Sequence, residues 1–320
     1  MAISRLSAAN EMAVVGAREP APATTKRRRD AIFQESWKSL ARRWLFGTAF
    51  ALKPSRIANV PYLLWYGAVD LLRGGTRVPD PARARPRPDS FGGICRDLSP
   101  ETILAAGRIG FFPWSHFGPI KWWTRAERMV LFFPEQHIAK RFRPMMRKSP
   151  WRVTFDTAFD EVIKACAEPR SNRRFAMTWI TPKIMRLYAE LHDRGHAHSV
   201  EVWGEDGRLI GGCYGVSVGR VFVTESLFFR EHNASKMGYH VLNYHLAKWG
   251  YFINDTKDWT EMSAAAGFRL VPRSEFEAIL AQSAHEGGHA GRWSVEADIA
   301  AVASSETKGT GSKASNPEAL

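Results

Sequence analysis

The stretch from Trp179 to Phe229 constrains this chain most, because it reads as one helix followed by three strands. Thr181 stands at an N-cap, Pro182 opens the helix, Ile184, Leu187, Tyr188 and Leu191 recur at helical spacing, and Gly195 supplies a left-handed stop. The segment AHSVEVW then alternates, Glu205-Asp206-Gly207 turns the chain, RLIGGCYGVSV runs out, Gly219-Arg220 turns it again and VFVTESLF returns. This pattern predicts an antiparallel meander. On its last strand, period two places Val221, Val223, Glu225 and Leu227 on one face, so a carboxylate interrupts an apolar row. Glu225 is then either a charge that deters edge pairing or meets a basic partner, or a functional group.

The 320 residues, 45% of them hydrophobic, suffice for one or two cores. No run reaches the roughly 18 apolar residues of a membrane span, and MAISRLSAANEMAVVGAREP lacks a signal-peptide core, which predicts a soluble cytoplasmic protein. Cys95, Cys166 and Cys213 are too few and too scattered for a disulfide framework or zinc site and are assigned to packing. The net charge of +13 is concentrated at the start, where residues 1–90 hold sixteen Lys/Arg against seven Asp/Glu. A polyanion is the expected partner, nucleic acid ahead of acidic lipid.

Residues 1–90 read as a basic N-terminal extension, with a flexible arm to about residue 30 that ends in Lys26-Arg27-Arg28-Arg29. From Ala31 to Phe46 a basic amphipathic helix is expected, lying on the body, a membrane or RNA. PYLLWYGAVDLL is too short to span a bilayer, and PDPARARPRPDSFGG is a proline-rich linker ending near residue 90. Residues 91–150 read as a small α/β domain whose Trp114, Trp122 and Trp123 are core residues or platforms for nucleobases. In the main domain, 151–286, Asp156 is expected to cap one helix and Asn233 another that runs from Ala234 to about Trp249. From about 287 to 320 the composition predicts a disordered tail. His285-Glu286-Gly287-Gly288-His289 matches a zinc-protease string, but adjacent glycines oppose the helix that would align both histidines, so no metal is expected. His192, His196 and His198 are read as structural, and no glycine-rich nucleotide loop is present.

Several stretches together resemble the leucyl/phenylalanyl-tRNA–protein transferase family: FFPW at 111–114, WW at 122–123, WRVTFD at 151–156, WITP, LHDRGHAHSVEVW, GGCYGV, ESLF and NASK. The resemblance spans about 190 residues, from Phe91 to about Ile279, and leaves the extension and the tail unmatched. It implies an α/β (α+β) fold with a GNAT-like, mixed but largely antiparallel sheet flanked by helices, after a small N-terminal domain. It also implies transfer of Leu or Phe from aminoacyl-tRNA to the α-amine of a protein beginning with Arg or Lys, marking that protein for degradation. No metal or dissociable cofactor is needed, since the aminoacyl-tRNA is the activated co-substrate and the acceptor's N-terminal segment is the other partner. By the same resemblance Glu225 holds the amine or the acceptor's charge and Asp255 orients or deprotonates the amine. Trp114, Trp122 and Trp179 stack on the 3′ adenosine or frame the pocket, and Asn233, Ser235 and Lys236 suit a phosphate or ribose.

Three positions depart from the family's pattern. Lys257 stands where the family has Gln, Thr224 where it has Gly, and Leu227 where it has Met. Lys257 enters the expected catalytic set by occupying the family's Gln position, but a charged Lys cannot accept a proton and repels an Arg or Lys acceptor, which points to a degraded site or to a different acceptor. Thr224 is expected to narrow the donor pocket. Two alternatives to the family's reaction follow: a non-catalytic tRNA-binding or membrane-associated relative, or a transferase for a different amine.

Overall fold

The computed structural model describes residues 23–305 except 59, 73–77, 82–83, 85–90, 117, 169–177, 285–287 and 290. The N-terminal extension forms helices α1 (Ala23–Ile32), α2 (Trp37–Ala51), α3 (Pro54–Ile57) and α4 (Val60–Leu72). Then come β1 (Phe91–Ile94), α5 (Pro100–Arg108), β2 (Phe112–Trp114), β3 (Lys121–Trp123), β4 (Glu127–Phe132), α6 (Arg143–Arg147), β5 (Arg152–Phe155) and α7 (Phe159–Ala167). The predicted helix and meander follow as α8 (Pro182–Asp193), β6 (Ala197–Trp203), β7 (Leu209–Val218) and β8 (Val221–Phe229). The chain closes with α9 (Ala234–Lys248), β9 (Ile253–Asp255), α10 (Glu261–Ala265), β10 (Arg269–Pro272), α11 (Arg273–Ala284) and α12 (Ile299–Ser304).

The signals read from the sequence act as expected in the meander. The Thr181 hydroxyl accepts from the Ile184 N–H, and Gly195 and Gly219 take the left-handed φ values, 74° and 58°, that end α8 and turn β7 into β8. Seven strands pair in the order β10-β4-β9-β8-β7-β6-β5, all antiparallel except β8 with β9. That parallel pair exists because α9 crosses over between its strands. A separate three-stranded sheet, β1-β3-β2, carries Phe91, Phe112 and Trp123. Apolar side chains of α5, α7, α8 and α11 fill one core, and those of α6, α9 and α12 fill another. The chain is thus a mixed α/β protein with a largely antiparallel sheet.

One expectation fails inside the meander itself. Gly215 pairs with Thr224 and Tyr214 with Ser226, so Glu225 is an extra, bulged residue and the alternation of β8 reverses beyond it. Val221 and Val223 belong to the α7–α8 core, whereas Leu227 packs toward α9. Glu225 and Leu227 therefore do not share a face.

The ends of the chain also depart from composition. Helix α1 incorporates the basic run, and the expected Ala31–Phe46 helix is split because the Ser36 hydroxyl caps α2 by accepting from the Ser39 N–H at 3.2 Å. Residues 1–22, most of the proline-rich linker, His285, Glu286 and residues 306–320 lie outside the described residues. Residues 291–305, expected to be unstructured, are held by Trp293, which stacks on His198 at 3.6 Å and donates its N–H to Asp156 at 2.7 Å. Ile299, Val302 and Ala303 of α12 are buried with it, so the segment is ordered by apolar burial that a composition rich in Ala and Ser obscures. Asp156 is accordingly not a cap: α7 begins after Ala158, and Asp156 instead ties β5 to β6 and to Trp293. Asn233 does stand at the start of α9, but in the left-handed conformation (φ 70°) and without a side-chain capping bond.

Candidate active site

The pairing of β8 with β9 stops at Val223 and Asp255. Beyond it the strands part, and two side chains meet across the gap. The bulge turns Glu225 out of the β8 alternation, while Lys257, two residues past β9, takes a left-handed φ of 67°. Lys257 Nζ lies 2.7 Å from Glu225 Oε2, and both side chains are less than a tenth exposed. A positive φ at a lysine is unusual. Here it is held by the Lys257 N–H donating to Asp255 Oδ1 at 2.8 Å.

Asp255 is fully buried, and its oxygens accept from the Arg128 guanidinium, Nε at 3.2 Å and Nη2 in close contact. Arg128 comes from β4 and also donates Nη1 to the Gly110 carbonyl at 2.8 Å. Arg128, Asp255, Lys257 and Glu225 thus form a connected row of two cations and two anions. The Phe112 ring stands beside both cations, 5.6 Å from Arg128 Cζ and 5.3 Å from Lys257 Nζ. Burying four charges is tolerable because each has an opposite partner and no net charge remains.

Tyr188 of α8 and Tyr214 of β7 stand at 80° to each other, ring centroids 5.5 Å apart. Burial first, and then the nearby Glu225 charge, holds the Tyr188 phenol well above its ordinary pKa, and burial does the same for Tyr214. Both remain protonated and able to donate. Glu225, Tyr188, Phe111, Phe112, Val216 and Phe276 share a cavity of about 20 Å³, room for one water. The Glu225 carboxylate, the Tyr188 phenol and the Arg128 guanidinium face this otherwise apolar cavity, and the Lys257 ammonium stands behind the carboxylate. Among the described residues, β8 from Ser226 to Phe229 pairs with β7 alone, so its backbone edge toward β9 carries no strand there.

The remaining residues singled out from the sequence are scattered around this centre. Trp179 reaches it through Tyr188, at 6.2 Å between ring centroids. Trp122 is buried in the α7–α8 core, and Trp114 is half-buried in the small sheet, where its carbonyl accepts from Trp123 Nε1 at 2.9 Å. Thr224 donates to Asn254 Oδ1 at 2.8 Å, and Asn254 in turn donates to Asn243 Oδ1 at 2.6 Å. Thr224 does not line the cavity. Asn233 contacts Met145, Ser235 is buried where α9 crosses Gly211, and Lys236 lies over Phe142. Arg128 was missed by sequence reasoning. The signal was present, since an arginine inside the apolar strand RMVLFF needs a buried anion, and Asp255 is the acid at the end of a strand.

Two further carboxylates sit in the WRVTFD and AHSVEVW motifs and do not reach this centre. Glu201 is fully buried and accepts from the hydroxyls of Ser199, Thr154 (2.7 Å) and Thr157 (2.8 Å), while burial raises its pKa. Asp156 accepts from His198 Nδ1 at 2.9 Å; burial acts to raise its pKa, but the neighbouring imidazoles and the Trp293 N–H carry it below the ordinary range. These motifs build scaffold. Among the described residues no cluster of His, Cys, Asp and Glu is arranged to hold a metal ion.

Comparison with known proteins converges on one family. The family model described as leucyl/phenylalanyl-tRNA protein transferase matches residues 130–281, and the model of that protein's N-terminal domain matches residues 96–125. The leucyl/phenylalanyl-tRNA–protein transferase of Pseudomonas syringae pv. syringae is 43% identical over 213 residues, covering 66% of this chain and 92% of the relative. That of Saccharophagus degradans is 39% identical over 225 residues, covering 70% and 89%. Among solved structures, L-PGS from Bacillus licheniformis aligns with 11% identity and a TM-score of 0.28 over 50% of this chain and 54% of its own, too weak a likeness to inform the fold.

Proposed function

The chain belongs to the leucyl/phenylalanyl-tRNA–protein transferase family, and we propose that the Glu225–Lys257 pair is the reacting centre of its aminoacyl transfer. The enzyme moves leucine or phenylalanine from aminoacyl-tRNA to the N-terminal amine of proteins that begin with arginine or lysine. In the reaction the amine nitrogen bonds to the ester carbonyl carbon, the ester C–O bond breaks, and the proton lost by the amine is balanced by one gained at the departing ribose oxygen. An aminoacyl ester is already activated, so the protein must supply position, a proton acceptor and charge stabilisation.

The meeting of Lys257 with Glu225, a carboxylate that lines a largely apolar cavity, carries this assignment. Glu225 accepts the proton that the amine loses as it attacks and returns it to the departing ribose oxygen. Lys257 and the Tyr188 phenol donate to the carbonyl oxygen as it becomes negative. Lys257 therefore repels a cationic acceptor less than its charge alone suggests, because Glu225 balances it. Asp255, with both oxygens engaged by Arg128, acts as a positioning residue for Lys257. The apolar pocket suits a leucine or phenylalanine side chain. It holds only a water as it stands, so admitting a donor side chain requires its lining to move. The open edge of β8 is suited to an extended acceptor N-terminus, whose backbone would add as a strand. The splayed β8–β9 pair supports the GNAT-like reading of the fold, and a unit beginning near residue 91 remains part of that reading. Trp179 frames the pocket through Tyr188, and the start of α9 with Lys236 receives a phosphate of the donor's 3′ end.

Purified protein incubated with leucyl- and phenylalanyl-tRNA and a peptide beginning with arginine should give that peptide heavier by one leucine or phenylalanine residue, read by mass spectrometry. No mass increase with either donor would refute the reading.

A further inference from the structure

The extension turns its apolar surface away from the protein. Along α2 and its C-cap residue, Trp37, Leu40, Trp44, Leu45 and Leu52 are exposed, Trp37 to 73% and Leu45 to 67%, and Gly47 is the helix's buried residue. Helix α4 repeats the arrangement: Tyr62, Leu64, Trp65 and Leu72 are exposed, while Gly67 is buried and Leu63 and Tyr66 pack on the small sheet. Among the described residues, every large apolar side chain that is exposed lies between Trp37 and Leu72, Phe229 excepted. Concentration of such surface in one segment marks an interaction site.

Charge and side-chain type identify the partner. Residues 37–72 contain Lys38, Arg42, Arg43, Lys53 and Arg56 against a single acid, Asp70. Asp70 is turned inward, accepting from the Ile94 N–H at 2.8 Å. Lys38, Arg42 and Lys53 are exposed, each near an aromatic ring of α2. A symmetric contact with a second copy would set this basic face against itself. RNA would answer the cations and stack on the Trp rings, but it would leave Leu40, Leu45, Leu52, Leu64, Leu71 and Leu72 in water. A surface that is apolar beneath and anionic at its headgroups answers both, and Trp and Tyr favour that boundary. No described helix is long and apolar enough to cross a membrane, which fits helices lying in the interface plane.

We propose that α2 and α4 seat on an anionic lipid bilayer and hold the transferase at the membrane surface. Full-length protein should co-float with phosphatidylcholine–phosphatidylglycerol vesicles, about tenfold more than with phosphatidylcholine alone, and the excess should vanish at high salt. The variant W44S/L45S/W65S should lose about tenfold or more of that binding while its vesicle-free transfer rate stays at the wild-type level. Absence of co-flotation, or a triple variant that floats like the wild type, would overturn the proposal. So would light scattering that shows a dimer which the triple variant makes monomeric, since the occupant is then a second copy. Transfer assayed without vesicles is independent of all these outcomes, so failure here leaves the assigned reaction untouched.

Discussion

At the residue scale, the account rests on four charges in a row. Removing one partner of a buried pair leaves the other uncompensated, so Arg128→Met should destabilise the protein by about 3–5 kcal/mol in chemical denaturation. Asp255→Asn should cost stability as well as turnover, since it strips Arg128 of its partner. Lys257→Gln and Glu225→Gln should each destabilise by about 1–3 kcal/mol, and the double variant by less than the sum, which a double-mutant cycle measures directly. Glu225 and Lys257 were legible in the sequence as a carboxylate in an apolar row and a departure from the family's pattern. Arg128 was signalled only as a cation in an apolar strand, and its role was missed because the acid that explains it lies 127 positions away. Leu227 was placed beside Glu225 because period two ignores a bulge, and Thr224 was placed in the pocket because the family's pattern has Gly there, whereas the structure directs both toward the α9 side. A donor preference unchanged by Thr224→Gly is therefore the expected result of a competition between leucyl- and phenylalanyl-tRNA.

At the scale of elements, α8 and the three-stranded meander could be read almost residue by residue, since capping, turns and alternation are local. The crossing of α9 over the sheet could not. It depends on Gly211, where a Cβ would stand 2.6 Å from that of Ala234 and 3.0 Å from the Ser235 N–H, so Gly211→Val should push α9 off the sheet and cost about 3 kcal/mol or more. Helix α9 also makes the fold sensitive to acid. Burial, followed by Lys236, His137 and Arg143, lowers the pKa of His240 to about 3. A group whose folded pKa is depressed contributes stability above its unfolded pKa of about 6.5 and loses it as pH falls toward the folded value. His192, His196 and His245 are lowered in the same direction, chiefly by burial. Stability should drop by about 2–3 kcal/mol between pH 7 and 4.5 on account of His240 alone, and urea titrations of His240→Leu should show a correspondingly flatter profile.

At the scale of the whole molecule, composition misled most at the ends. The basic run that predicted a free arm is partly neutralised by the body: Arg28 pairs with Glu161, and Arg29 meets both Asp160 at 3.0 Å and Asp193. Phe33 beside it is fully buried. Arg29→Ala should therefore destabilise by about 2–4 kcal/mol, by leaving the buried Asp160 unpaired, whereas an unattached arm would give no change. The same contacts leave less free charge for a polyanion than the count of lysines and arginines implies, and they fix the extension that presents α2 and α4. What the assembled molecule does with its central charges is tested most directly by steady-state transfer from leucyl-tRNA to an arginine-started peptide, comparing wild type with Glu225→Gln. The account predicts kcat lower by about 10²-fold or more, with tRNA affinity and the folded state retained. A Glu225→Gln enzyme as fast as the wild type would contradict it.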